Sequence, residues 1–205
     1  MRRLILIRHA VTEWNASGRF QGQTDVALSK AGRAQAEALG KRLASCDIER
    51  VYASPLARTL ETAGIALPER SLIREPRLME LDFGAFEGRT LGENQSLPEW
   101  DWWYADPFNR RAPGGESYRD LQERASAWLC ELCVAGQVVA FAHSGTIQML
   151  LAHLLGIPQP RARKRFQLGY TSITSITFHD GVEVIERVND TSHLCRELQG
   201  GQASG

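Results

Sequence analysis

The chain carries no excess of charge of either sign. Its 24 Lys and Arg residues balance 24 Asp and Glu, a net charge of zero. Dedicated binders of nucleic acid or anionic membranes carry a strong basic excess, so neither is an expected partner. A long apolar run is also missing: no segment approaches the ~18 residues of a transmembrane helix. The run Leu4-Ile5-Leu6-Ile7 ends at Arg8 and His9, short of the roughly seven apolar residues a secretory signal needs, so a cytoplasmic protein is the expectation. Cysteine is scarce. Cys46, Cys130, Cys133 and Cys195 have no disulfide-framework spacing. Cys130-x-x-Cys133 falls late in an amphipathic pattern, away from the helix N-terminus that stabilises a redox thiolate, and no second pair completes a zinc site. Buried or half-buried thiols on a helix are expected there. Linkers, repeats and charge blocks are absent too. One domain is expected over residues 1–196, followed by a disordered tail over 197–205, where glycine accumulates.

What is present is an ordinary globular composition, 205 residues with 43% hydrophobic, enough for a sizeable core. Strand and helix patterns alternate. Leu4 to Arg8 reads as a strand buried on both faces. Ser29 caps a helix from Lys30 to about Ala44, with Gly32, Gln35, Leu39 and Leu43 on one face. Arg50 to Ala53 is a second strand, and Ser54-Pro55 reads as N-cap and first position of a helix to about Ala66. Leu72 to Arg74 is a third strand. Leu81 to Pro113 is irregular, expected as loop with short helical pieces. Ser117 caps a helix with Leu121, Ala125, Trp128 and Leu132 on its apolar face. Gln137 to Ala142 is a strand, and a helix runs from about Gly145 to Leu155. Strands over Ser172–Phe178 and Val182–Val188 flank the turn signal Asp180-Gly181. The pattern predicts an α/β fold of three α/β/α layers, with a mostly parallel sheet and an antiparallel edge hairpin.

Ligands of open α/β sheets bind beyond the carboxyl ends of the strands. The strand assignments put Arg8-His9, Ser54-Pro55 with Arg58, and His143-Ser144-Gly145 at such ends. Two histidines and two arginines on one rim make a cationic, donor-rich pocket suited to a phosphate dianion. Taken singly, each residue also has a structural explanation: a hydrogen-bonded histidine, or a surface arginine on a first helical turn. A metal is not expected, because arginines beside a divalent cation are unfavourable and no His-x-x-x-His or carboxylate cluster occurs. His153, His179 and His193 read as incidental.

Several ordered stretches carry a family resemblance. These are Arg8-His9-Ala10-x-Thr12-Glu13-x-Asn15, Gln21-Gly22-Gln23-x-Asp25-x-x-Leu28-Ser29 and Ser54-Pro55-Leu56-x-Arg58-x-x-x-Thr62. Glu80-x-x-Phe83-Gly84-x-x-Glu87-Gly88, Pro113-Gly114-Gly115-Glu116-Ser117 and Ala142-His143-Ser144-Gly145 follow. Together they resemble the histidine phosphatase, or phosphoglycerate-mutase-like, superfamily from residue 4 to about residue 178. Within it the chain looks most like the short broad-specificity phosphatases and the α-ribazole phosphatases.

The resemblance implies a metal-independent phosphomonoesterase without cofactor, acting on a small phosphorylated substrate. His9 would be the nucleophile that becomes phosphohistidine, and Glu80 the acid and base. Arg8, Arg58 and His143 would surround the transferring oxygens. Asn15, Gln21, Gly22 and Ser144 would contact phosphate or substrate. Ala10 and Ser144 stand where the family usually has glycine, and Ala10 argues against a positive φ there. A phosphoglycerate mutase and a non-enzymatic phospho-ligand module remain the alternatives. The mutases resemble this chain less, usually having a longer insertion after the acid and a threonine where Gln21 stands. Trp100 to Tyr104 is either a satellite core or an aromatic wall over the leaving group. A monomer and a homodimer are equally compatible with the sequence.

Overall fold

Alternation along β1 (Arg2–Arg8) decides the layering. Leu4 and Leu6 pack into one core cluster, Ile5 and Ile7 into another, because successive strand residues face opposite sides. A strand apolar on both faces belongs in the middle of a sheet. The computed structural model describes residues 2–132, 136–157 and 165–199. Its six-stranded sheet runs β3 (Leu72–Arg74), β2 (Arg50–Ala53), β4 (Gln137–Ala142), β1, β5 (Ile173–His179), β6 (Val182–Asp190). The first four are mutually parallel, and β5 and β6 form the antiparallel hairpin at one edge. Asp180 and Gly181 both take positive φ in the hairpin turn, as an Asp-Gly pair favours.

Helices α2 (Lys30–Leu43) and α3 (Ala57–Ala66) cover one face, and α6 (Tyr118–Glu131) and α7 (Ser144–Leu154) the other. The expected three-layer α/β/α architecture is therefore what forms. α2 buries Gly32, Gln35, Leu39 and Leu43, and the Ser29 hydroxyl accepts from the Gly32 amide. Ser117 and Asp120 make a reciprocal capping box at the start of α6. No helix among the described residues is long and apolar enough to cross a membrane.

Three local expectations need correction. α3 begins at Ala57, not at Pro55, because Leu56 is still extended (φ −68°, ψ 139°); the Ser54 hydroxyl lies 2.9 Å from the His143 ring and accepts only a long 3.4 Å bond from the Leu56 amide. The Ala57 amide donates instead to Asp25 Oδ1 at 2.6 Å, a cap supplied from a distant loop. Cys130 is exposed on α6 rather than buried, and Cys133 lies outside the described residues. The stretch read as a tail opens with a short helix, α8 (Arg196–Gln199), and the Leu198 carbonyl accepts from Gln35 Nε2. Residues 200–205 lie outside the described residues.

The irregular stretch after Leu81 holds two short helices, α4 (Leu91–Gln95) and α5 (Trp100–Ala105). Trp100 and Trp103 are buried in a third core cluster with Leu81, Phe86, Phe108 and Met149. Their rings meet edge-on or tilted at 5–6 Å, the geometry aromatic quadrupoles prefer. Trp102 points the other way and is 54% exposed. The aromatic run is therefore a packed platform with two outward rings, Trp102 and Tyr104, the latter stacked on Trp100 at 5.2 Å. Trp103→Ala is expected to destabilise the protein by about 3–5 kcal/mol, and Trp102→Ala by less than about 0.5 kcal/mol. Urea unfolding of the two variants checks the contrast, and equal losses would contradict the packing.

Candidate active site

Strands β2, β4 and β1 are neighbours, so residues just past their carboxyl ends share one rim. His9 follows β1, Ser54 and Arg58 follow β2, and His143 follows β4 as the N-cap of α7. The His9 and His143 rings lie 5.1 Å apart, tilted by 56°. Both are buried.

The hydrogen bonds assign both tautomers. His9 Nδ1 lies 2.7 Å from the Ala10 carbonyl, which can only accept, so Nδ1 carries the proton. Nε2 is left with its lone pair. Arg58 Nε donates to His143 Nδ1 at 3.2 Å, so His143 Nε2 carries the proton toward Ser54 Oγ. Burial, then the charges of Arg58 and Arg8, push the His9 pKa well below 6.5; burial and Arg58 do the same to His143. Two neutral imidazoles beside two cations result.

Arg58 is fully buried, and burial lowers its pKa to about 10, still charged at neutral pH. Its Nη2 donates to the Gly22 carbonyl at 2.6 Å and its Nη1 to the Thr24 carbonyl at 3.2 Å. Gly22 thus supports the arginine through its backbone. A side chain cannot fit there, since a Cβ would lie 2.4 Å from the Leu81 carbonyl oxygen. Arg8 stacks 3.9 Å over the Tyr170 ring and donates to the Leu168 carbonyl, while its buried Nε has no partner.

Glu80 is buried, and its carboxylate accepts from the amides of Leu81 and Gly145, each at 3.0 Å. The second contact sets it against the first turn of α7. Gly145 permits the approach: a Cβ there would sit 2.3 Å from Glu80 Oε1.

The remaining expected residues divide. Gln21 is buried, accepts from Thr12 Oγ1 at 2.7 Å, and leaves its Nε2 donor without a partner. Asn15 Oδ1 is engaged by the Thr12 amide in a reciprocal cap of α1 (Glu13–Ala16). The Ser144 hydroxyl, in the first turn of α7, accepts from Gln148 at 3.0 Å. Ala10 is not among the positive-φ residues, and its amide donates to Thr62 Oγ1.

Other contributors were given no role by the sequence, although Glu87 and Glu116 stand within the family-resembling stretches. Arg124, on α6, uses its whole guanidinium fork. Nη1 donates to the carbonyls of Arg77 and Met79, Nη2 to the Glu80 carbonyl and Glu116, and Nε again to Glu116, all within 3.0 Å. The backbone carrying Glu80 is thereby pinned to a helix. Glu87 accepts from the Gln23, Thr24 and Phe83 amides and ties the Gly22 loop to the Glu80 segment. Thr171 holds φ 53°, an uncommon conformation for a β-branched residue, in the turn that presents Tyr170 to Arg8. Its hydroxyl lies 3.0 Å from His193 Nε2, so His193 has a structural partner after all. Among the described residues no three or more His, Cys, Asp or Glu side chains gather as metal ligands would.

The depressed histidines have a consequence for stability. Below about pH 6.5 the unfolded chain takes up protons on them that the folded chain refuses, so acidification favours unfolding. Carboxylates held low, such as Glu75, contribute only below their ordinary 4.5. The Tm is expected to fall steadily from about pH 6.5 to 4.5, and His9→Asn should flatten part of that slope. Calorimetry in non-phosphate buffers checks it, and a flat Tm over that window would mean the folded histidines accept protons.

The chain as a whole is similar to known proteins. A probable phosphoglycerate mutase, GpmB, from Yersinia enterocolitica is 34% identical over 209 residues, 95% of each chain. The solved phosphoserine phosphatase of Entamoeba histolytica with 3-phosphoglyceric acid is similar at TM-score 0.84 and 30% identity, over 95% of this chain and 100% of that one. The α-ribazole phosphatase of Shigella flexneri is similar at TM-score 0.85 and 25% identity, over 92% of this chain and 96% of that one. Residues 4–191 match the description of one family throughout, and the chain belongs to the histidine phosphatase superfamily, branch 1.

Proposed function

We propose that the protein hydrolyses small phosphomonoesters through a phosphohistidine on His9, without a metal. The observation that carries this reading is the His9 imidazole held neutral by burial and flanking arginines, its proton fixed on Nδ1 by Ala10. Nε2 attacks phosphorus as the ester P–O bond breaks. The Glu80 carboxyl gives its proton to the departing oxygen. The carboxylate then takes a proton from water, whose oxygen attacks phosphorus and breaks the P–N bond. Phosphate leaves, and His9 returns to its starting state. Arg8, Arg58 and the N–H groups of α7 supply the positive potential for the transferring oxygens, the role a metal plays elsewhere. Orphaned Arg8 Nε and Gln21 Nε2 are donors available to them. Substrate contacts by Asn15 and Ser144 belong to the same proposal.

Hydrolysis is favoured over transfer by the segment beyond Glu80. A mutase must hold its intermediate away from water while substrate reorients. Here α5 spends its large apolar side chains, Trp100 and Trp103, on the underlying core. The second reading, a mutase, rests on the name of the Yersinia relative. It uses the same residues and differs only in what reaches the phosphohistidine.

Assays of phosphate release on a panel of phosphomonoesters, with and without a bisphosphoglycerate primer, separate the two. Prompt release with little phosphoglycerate interconversion is expected, together with an acid-labile phosphoenzyme that vanishes in His9→Ala. Primer-dependent interconversion with negligible release would establish the mutase, and labelling that persists in His9→Ala would move the chemistry elsewhere. Glu80→Gln is expected to lower kcat by about 10²–10⁴-fold, the usual range for a general acid. Its loss should shrink for aryl phosphates, whose leaving groups need no proton. An equal loss for alkyl and aryl esters would remove Glu80 from that role.

A further inference from the structure

The opposite end of β1 borders a second cavity, of about 80 Å³, between the sheet and the C-terminal end of α2. Arg3 lines it and His9 does not; the two stand six positions apart along the strand, about 20 Å. Ile5, Leu43 and Ile173 supply apolar lining, and Arg3, Arg42 and Arg187 the cationic part. Cross-strand register sets Ile5, Ser175 and Arg187 in one row, and β5 and β6 change register at Ser175. Such irregularities re-aim side chains where a sheet does more than pack.

Unmet donors converge on this space. Ser175 is 1% exposed and its hydroxyl has no partner; Arg3 Nε is likewise buried and unpartnered. Arg42 reaches Asp190 only at 3.9 Å, beyond a hydrogen bond. Leaving a buried donor unpaired costs on the order of 1–3 kcal/mol, so such atoms ask for an occupant. The charges define which. Arg187 pairs with Asp190 at 3.2 Å and Arg3 with Glu186 at 2.7 Å, so among the described residues three arginines meet two carboxylates, one of which, Asp190, lines the cavity and is shared with Arg42 at 3.9 Å. One uncompensated positive charge, reduced further by the carbonyl end of α2, suits a monoanion better than a phosphate dianion.

We propose that this cavity is a binding site for a short-chain organic monocarboxylate, separate from the phosphate site. The carboxylate accepts from Arg42, Arg3 Nε and the Ser175 hydroxyl, and its hydrocarbon end lies on Ile5, Leu43 and Ile173. Guanidinium and carboxylate match as planar forks, which gives the head group its orientation.

The test is an amide-resolved NMR titration of the full chain with sodium butyrate, and in parallel with inorganic phosphate. Butyrate is expected to shift the Ser175 and Arg187 amides saturably, whereas phosphate shifts those of His9 and Gly145. Arg42→Gln and, independently, Ser175→Ala should each weaken butyrate by about tenfold or more, with the rest of the spectrum unchanged as evidence of folding. Three results would overturn the site: no saturable shift with butyrate, butyrate affinity unchanged from the parent protein in either variant, or phosphate occupying the pocket as readily. The first would mean that water alone satisfies the orphaned donors.

Discussion

A guanidinium with no exposure to solvent, that of Arg58, is the constraint around which the rim is built. Removing such a charge from water is expensive unless it is paired and hydrogen-bonded on all sides. Here the partners are the carbonyls of Gly22 and Thr24 and the ring of His143, with Glu80, Asp25 and Glu87 raising its pKa against the effect of burial. Each partner is drawn into place by that demand. The Gly22–Thr24 loop must fold inward, Asp25 then reaches the first turn of α3, and His143 is held in a single tautomer. The same charge, with that of Arg8, keeps His9 unprotonated. One buried cation thus organises the loop, the helix start and the protonation state of His9.

The carboxylate of Glu80 answers to a different set of forces. Its side chain is set by the α7 N-terminus and its backbone by Arg124, which spans three carbonyls and is itself clamped by Glu116. Glu116 also accepts from the Asp82 amide at 3.1 Å, so the two sides of the Glu80 segment meet on one ion pair. The acid–base role proposed for Glu80 would need a fixed distance to the reacting oxygen more than a strong charge. The half-buried Arg124–Glu116 pair is better understood as an orienting brace than as a source of stability, since partly exposed pairs contribute little on their own.

The sheet separates these demands from those of stability. Its two faces are closed by interleaved aliphatic residues from β1 and β4, and no catalytic side chain is needed in either layer. The third cluster, under α5, supports the Glu80 segment from below through Leu81 and Phe86. Placement of the chemistry past the strand ends lets the core be packed for density while the rim retains unpaired donors, Arg8 Nε and Gln21 Nε2 among them. Such donors are tolerable at the mouth of a pocket and costly inside a core.

Sequence by itself determined the layer architecture, the strand order of events along the chain, and which residues stand on the rim. These depend on local periodicity: alternation over Leu4 to Ile7, the three- and four-residue spacing of α2, the Ser29 and Ser117 caps. The motifs around His9, Arg58, Glu80 and His143 were legible because family resemblance attaches to runs of adjacent residues. What only the tertiary structure decided are the contacts between residues far apart in the chain. Arg124 reads as a helical surface arginine until the carbonyls of residues 77, 79 and 80 are brought to it. Ser54 reads only as a helix cap until His143 is brought within 2.9 Å of its hydroxyl, and Asp25 as a loop acid until the start of α3 reaches it. Trp100, Trp102 and Trp103 are equivalent as letters and were divided into core and surface only by what packs beneath them. The physical reason is common to all: a polar group takes whichever partner folding delivers, and sequence spacing carries no record of partners contributed by another segment.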